Sequence, residues 1–136
     1  MASKLELTDE DYATLADFRH ALRQFQAFSE ARAVAVGLTP QQHQALLAIR
    51  GARGAPVTIG YLAERLILKP HSTTGLIDRL VALGMVERQP SPEDRRQALL
   101  ALTPRARDLL AELSATHREE LRRLRPLLTD LLAHLD

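Results

Sequence analysis

Two groups of polar side chains in the middle of the chain have types and a spacing that suit binding to a polyanion. The first group is His71, Ser72 and Thr74, near the start of a predicted helix, and the second is Asp94, Arg95 and Arg96, in a proline-rich loop. Short polar side chains on the outside of a helix suit hydrogen bonds with base edges and phosphates. Paired arginines suit phosphates or a narrow minor groove. Together they indicate duplex DNA as the partner.

Both groups also have a structural interpretation. Serine and threonine commonly cap the start of a helix, and exposed arginines are commonly only solvated. We favour DNA binding because Pro70 already occupies the first turn of that helix and the arginines follow it on a hairpin. Lys69, Arg79 and Arg88 are further candidates for phosphate contacts. Gly75 costs up to about 1 kcal/mol inside a helix, which indicates close approach either to DNA or to the preceding helix.

Helix caps predict the elements that position these groups. A capping box at Thr39 and Gln42 predicts a helix over residues 40–50. Thr58 caps a short third helix, and Pro70 starts a fourth over residues 70–83. The fourth helix should bury one face and expose the other; its predicted buried residues are Thr73, Leu76, Ile77 and Leu80.

The segment after the fourth helix predicts a hairpin. Residues 85–89 and 97–102 are short and apolar enough to be strands, and residues 90–94 form the turn. The order of helix, turn, helix, strand, turn and strand within residues 39–103 is that of a winged helix-turn-helix.

Helices are predicted on both sides of this region. Thr8 and Asp11 open one over residues 8–36, and Pro104 opens a long one over residues 104–136 that Pro126 divides or kinks. Their apolar stripes exceed what one small core covers, so we predict a homodimer. The predicted fold is mainly α with a small β-hairpin wing, in one domain over residues 1–136 with dimerisation helices at both ends.

The composition of the chain excludes some classes of function and favours DNA binding. The chain has no cysteine, which excludes disulfides, thiolate nucleophiles and Cys-ligated zinc. The net charge is +1, yet residues 40–108 carry ten Lys or Arg against six Asp or Glu, so the positive excess lies in the predicted DNA-binding region. The sequence shows neither a signal peptide nor a spanning segment, and we expect a cytoplasmic protein.

The sequence gives little support to the alternatives that this protein is an enzyme or binds a metal ion. There is no phosphate loop, nucleophile motif or zinc signature, so we predict no enzyme activity, no cofactor and no metal. His20, His43 and His117 are interpreted as satisfied or interfacial histidines, and Arg50, Arg53 and Arg65 as ordinary surface. A winged-helix module that binds protein, or a DNA-binding protein without a ligand, stays open as an alternative.

The whole chain resembles the MarR family of bacterial transcription regulators. The resemblance rests on the segments Leu38-Thr39-Pro40-Gln41-Gln42, Leu62-Ala63-Glu64-Arg65-Leu66, Ile77-Asp78-Arg79-Leu80, Gly84-Met85-Val86-Glu87-Arg88, Pro92-Glu93-Asp94-Arg95-Arg96 and Leu102-Thr103-Pro104. One departure is Arg105-Ala106-Arg107, where many relatives have a glycine.

The resemblance implies a homodimer that places two recognition helices on a pseudo-palindromic operator, most often as a repressor. It implies that Asp94 braces the wing loop and that Arg96 enters the minor groove. It also implies a crevice for a small phenolic or carboxylate effector, for which the candidates in this sequence are Phe25, Phe28, Arg32 and His43.

Overall fold

The structure, a computed structural model, describes residues 6–133 and forms six helices and one two-stranded sheet in that part of the chain. The elements are α1 (Asp9–Ala35), α2 (Pro40–Arg50), α3 (Ile59–Leu66), α4 (Pro70–Ala82), β1 (Val86–Pro90), β2 (Ala98–Leu102), α5 (Pro104–Glu112) and α6 (Ser114–Ala133). The predicted fold class, mainly α with a small hairpin, is confirmed.

The elements group into two compact units. Residues 33–114 form one, which we call the winged unit; the described residues of 1–32 and 115–136 form the other, the helical unit. The prediction of a single domain stays a prediction.

Threonine caps fix the helix starts of the winged unit. The Thr39 hydroxyl accepts a hydrogen bond from the Gln42 N–H at 3.1 Å, and the Gln42 side chain accepts one from the Thr39 N–H at 3.0 Å. The hydroxyls of Thr58 and Thr103 accept from the backbone of α3 and α5 in the same way. Such a cap typically contributes about 1 kcal/mol. The predicted starts of α2, α3 and α5 are confirmed.

The core of the winged unit forms where its helices meet the hairpin. Leu46, Leu62, Ile77, Leu80 and Val86 have almost no exposed surface. Burying a side chain of this size contributes about 1.5–3 kcal/mol. Because Ile77 and Leu80 hold one face of α4 in this core, the opposite face of α4 points outward.

The hairpin pairs β1 with β2 in antiparallel register, from Val86 opposite Leu102 to Pro90 opposite Ala98. The Leu100 N–H also donates to the Val57 carbonyl at 2.8 Å, which ties the segment before α3 to the wing. The placement of Pro90 in the turn is wrong, since Pro90 is the last residue of β1. A proline is tolerated at the end of an edge strand, where its missing N–H interrupts little of the ladder.

The helices after the wing are divided at a different place from the one predicted. The sequence predicts a break or kink at Pro126, but α5 ends at Glu112 and α6 runs through Pro126. The division falls at Leu113, which is buried and has φ −85° and ψ 0°. Pro126 is exposed and lies inside the 20-residue helix α6, although a proline removes one hydrogen bond from the helix interior.

The turn between α3 and α4 contains a residue that the sequence gives no reason to expect there. Ile67 has φ 55° and ψ 49°, a left-handed conformation that β-branched residues rarely adopt, and its side chain is 92% exposed. The turn closes because the Leu68 N–H donates to the Ala63 carbonyl at 2.9 Å and the Ile67 N–H to that of Glu64. Nothing in the structure explains why isoleucine occupies this position.

Candidate nucleic-acid interface

The outward face of α4 carries the first predicted group. His71, Ser72 and Thr74 are exposed, and the four residues predicted to be buried, Thr73, Leu76, Ile77 and Leu80, are buried. Lys69, the residue before α4, and Arg79, on α4, are exposed and have no ion-pair partner among residues 6–133. The face therefore offers hydrogen-bonding side chains together with the cationic side chains of Lys69 and Arg79.

The start of α4 has no side-chain cap. Lys69 is the N-cap residue and makes no capping hydrogen bond. The Thr74 hydroxyl donates to the Pro70 carbonyl at 3.1 Å, and the buried Thr73 hydroxyl donates to that of Lys69 at 3.0 Å. The interpretation of these polar residues as a capping cluster is therefore wrong. The first-turn N–H groups and the positive end of the helix dipole suit an anion such as phosphate.

Gly75 lies on this helix with open space beside it. A Cβ added at Gly75 would meet no heavy atom within 4 Å, apart from the local atoms that belong to its own helix. Close approach to the preceding helix is therefore not the reason for glycine here. The open space leaves room for an external molecule to reach the α4 backbone.

The wing loop is ordered by hydrogen bonds from its own side chains. Ser91 Oγ accepts from the N–H groups of Glu93 and Asp94 at 3.4 and 3.3 Å. Asp94 Oδ1 accepts from the Arg96 N–H at 2.9 Å, so Asp94 braces the loop. The Arg95 and Arg96 side chains are exposed. The loop thus presents two cations from a fixed backbone.

Arg88 has a partner that the sequence did not reveal. Its Nη2 forms an ion pair with Asp78 Oδ1, and both side chains are partly exposed. Because Asp78 belongs to α4 and Arg88 to β1, the pair ties the wing to the helix. Arg88 therefore has a structural contact beside the phosphate contact predicted for it.

Arg105 and Thr103 hold the other end of α4, and sequence reasoning missed both roles. Arg105 Nη1 donates to the Leu83 carbonyl at 2.9 Å, and Thr103 Oγ1 donates to the Gly84 carbonyl at 2.6 Å. A cation at the C-terminus of a helix also complements the helix dipole. The start of α5 thereby fixes the end of α4.

Three of the four candidate effector residues lie in the helical unit. The guanidinium carbons of Arg32 and Arg123 lie 5.4 and 4.4 Å from the centre of the Phe28 ring. Phe25 and Arg123 line a cavity of about 320 Å³ between α1 and α6. Arg123 is thus a cationic candidate that sequence reasoning missed, because its sequence position gives no sign of a stacked aromatic ring.

His43, the fourth candidate, lies on α2 in the winged unit and is almost completely buried. Its burial agrees with the interpretation of a satisfied histidine. Among the described residues, no group of three or more His, Cys, Asp or Glu side chains is placed to hold a metal ion. No described helix is both long and apolar enough to cross a membrane.

The helix pair α3–α4 followed by the β1–β2 wing defines a winged helix-turn-helix protein. Residues 36–97 match the family model described as the MarR family. A MarR transcription factor from Planctomyces limnophilus has a solved structure with 31% identity and a TM-score of 0.64, over 96% of this chain and 93% of that one. The chain therefore belongs to the MarR family of transcriptional regulators.

The chain is also similar to two other proteins. RV1404 from Mycobacterium tuberculosis is 29% identical, with a TM-score of 0.71 over 89% of this chain and 82% of that one. An uncharacterised HTH-type transcriptional regulator of Bacillus subtilis, YcgE, is 36% identical over 73 residues, which are 54% of this chain and 46% of YcgE. The chain spans about half the length of the curated relatives it matches.

Proposed function

We propose that the protein is a homodimeric, sequence-specific DNA-binding regulator that acts as a repressor in the cytoplasm. The observation that carries this proposal is the exposed polar face of α4, with an uncapped start, beside an arginine-bearing wing that the Arg88–Asp78 pair ties to α4. The α4 face and the wing are thus joined by an ion pair within the winged unit.

Each side chain has a role in this proposal. His71, Ser72 and Thr74 contact base edges in the major groove, where α4 fits. Lys69 and the free N–H groups at the start of α4 bind phosphate, and Gly75 lets the backbone approach closely. On the wing, Arg96 enters the minor groove.

A steep salt dependence of duplex binding tests this proposal. If each protomer neutralises about three phosphates, the logarithm of the association constant should fall with the logarithm of salt concentration with a slope of about −5 for the dimer. Fluorescence anisotropy measures the slope with DNA duplexes taken from the promoter region next to the gene that encodes this protein. A duplex of scrambled sequence is the control for sequence specificity. A salt-independent affinity would contradict DNA binding and favour a protein partner.

Exposed apolar side chains on α6 support the homodimer. Leu121 is 68% exposed, Leu132 is 65% exposed, and Leu128 is also exposed. Separations of seven and four residues bring all three to one side of the helix. Tyr12 and Leu15 are exposed on α1 as well. Because a monomer rarely leaves such a stripe in water, a second copy of this chain is the proposed cover.

We also propose that a small aromatic or phenolic anion releases the DNA. Phe25 and Phe28 supply apolar surface, while Arg32 and Arg123 supply cations beside the Phe28 ring. His43 is retained as a candidate on the resemblance alone. Such a ligand acts only through different affinities for the DNA-bound and free forms.

Titration with salicylate tests the effector. Millimolar salicylate is expected to weaken the protein–operator complex about tenfold, a coupling free energy of about 1.4 kcal/mol. Arg32→Ala and His43→Ala should reduce this response, whereas Arg19→Ala, which removes an exposed arginine from the same helix as Arg32, should preserve it. If salicylate neither binds the native protein nor weakens the complex, the pocket chemistry is wrong and the regulator acts without this ligand.

A further inference from the structure

An apolar surface lies where the end of α3 meets α2 in the winged unit. Ile67, in the turn after α3, is almost completely exposed, and Leu47, on α2, is exposed as well. Both line one solvent-open cavity of about 430 Å³, whose other lining residues are Gln44, Ala48, Arg65 and Leu66. None of these residues belongs to α4 or to the wing. We call these six residues the α2–α3 surface, and it is distinct from the candidate DNA interface.

The backbone of Ile67 makes an exposed isoleucine costly at this position. Its φ of 55° and ψ of 49° are left-handed, and a β-branched residue adopts this conformation only at a cost in free energy. Glycine or asparagine would avoid most of that cost. Because the Ile67 side chain lies almost wholly in solvent, packing within the folded chain returns little of it. Contact with an external molecule would account for the isoleucine where folding does not.

The charges around the α2–α3 surface indicate which kind of molecule fits it. Among the described residues that line the cavity, Arg65 is the only charged one; it is exposed and has no ion pair within residues 6–133. Helix α2, which supplies the other wall, contains neither Asp nor Glu. An apolar centre with a cation at its edge and no carboxylate is complementary to an apolar side chain accompanied by an acidic group.

We propose that the α2–α3 surface docks an amphipathic acidic segment of another protein, which places an apolar side chain between Leu47 and Ile67 and a carboxylate on Arg65. An amphipathic helix bound in an apolar groove is a common mode of peptide recognition, and a few anchoring side chains carry most of its affinity. Duplex DNA suits the surface less, because phosphates gain nothing from two exposed apolar side chains. A second copy of the same surface also suits it less, because a two-fold contact would bring two cations together without a carboxylate.

Selection from a random-peptide display library tests this proposal without DNA, so the result does not depend on the proposed regulatory function. The native full-length protein is the bait, and peptides that also bind Ile67→Asn are removed. The remaining peptides should carry leucine, isoleucine or phenylalanine together with Asp or Glu, at separations of three or four residues. Fluorescence anisotropy of one labelled peptide from this set then measures its affinity for the native protein and for each variant.

Leu47→Gln and Arg65→Gln should each weaken binding of that peptide about tenfold or more. The matched controls are Leu83→Gln, which removes an exposed leucine after α4, and Arg107→Gln, which removes an exposed arginine from α5. Both controls should leave the affinity unchanged. Asparagine adopts the left-handed conformation more readily than isoleucine, so the midpoint of thermal unfolding should not fall in Ile67→Asn.

Four outcomes would count against the proposal. If no peptide prefers the native protein to Ile67→Asn, the α2–α3 surface is not a docking site. Selected peptides that lack Asp and Glu, or that bind Arg65→Gln with native affinity, would overturn the role of the charge. A lower unfolding midpoint in Ile67→Asn would show that the isoleucine serves the fold instead. Self-association of the native chain that Ile67→Asn abolishes would assign the surface to a second copy.

Discussion

Replacing both Leu128 and Leu132 by glutamate is expected to convert the proposed homodimer to a monomer and to weaken operator binding by about 10²- to 10⁴-fold. Both leucines are exposed on α6, on the side that also carries Leu121. If a second chain covers this side, the variant places uncompensated carboxylates in an apolar interface, which costs several kcal/mol. Operator affinity falls because two half-sites then bind separately and the gain from linked binding is lost.

Light scattering gives the oligomeric state, and circular dichroism shows whether the helices persist. The control is the pair Arg122→Glu and Thr129→Glu, which places two glutamates roughly 90° around the same helix. Both positions are exposed. The control should remain a dimer. A Leu128→Glu/Leu132→Glu variant that stays dimeric and binds the operator at native affinity would show that this side of α6 is not the interface.

Local signals account for the parts of the fold that the sequence predicted well. The Thr39–Gln42 capping box forms as expected, because both partners lie three residues apart and need no other element. The buried face of α4 was also predictable, since Leu76, Ile77 and Leu80 follow the period of a helix in contact with a core. The positive φ of Gly84 at the end of α4 follows from the ease with which glycine adopts that conformation.

Contacts between distant segments account for what the sequence left undetermined. Arg88 and Asp78 are ten residues apart, and the sequence around either one indicates only an exposed charged side chain. Arg105 reaches a carbonyl 22 residues away, which no local pattern indicates. Leu113 carries no helix-breaking signal, whereas Pro126 carries a strong one and still lies inside α6. Helix boundaries of this kind are decided by tertiary packing.

The contacts around α4 have a consequence for recognition. Arg88 ties α4 to β1, and Arg105 and Thr103 tie its end to α5. The Asp94 carboxylate fixes the backbone of the wing at Arg96. A rigid wing loses little conformational entropy when it binds, so each of its contacts should contribute more of its free energy to affinity. Replacement of Arg96 is therefore a sensitive test of the proposed contacts between the wing and DNA.

Arg96→Ala is expected to weaken operator binding by about 1–3 kcal/mol, or roughly 5- to 150-fold, with the proposed dimer and the thermal unfolding nearly unchanged. Arg96 is exposed and its side chain has no ion pair among residues 6–133, so the folded state loses little, while the proposed minor-groove and phosphate contacts disappear. Titration of a labelled operator measures the loss. Arg65→Ala, which removes an equally exposed arginine from α3, should change affinity far less. Equal affinity of Arg96→Ala and the native protein at physiological salt would refute the minor-groove role of the wing.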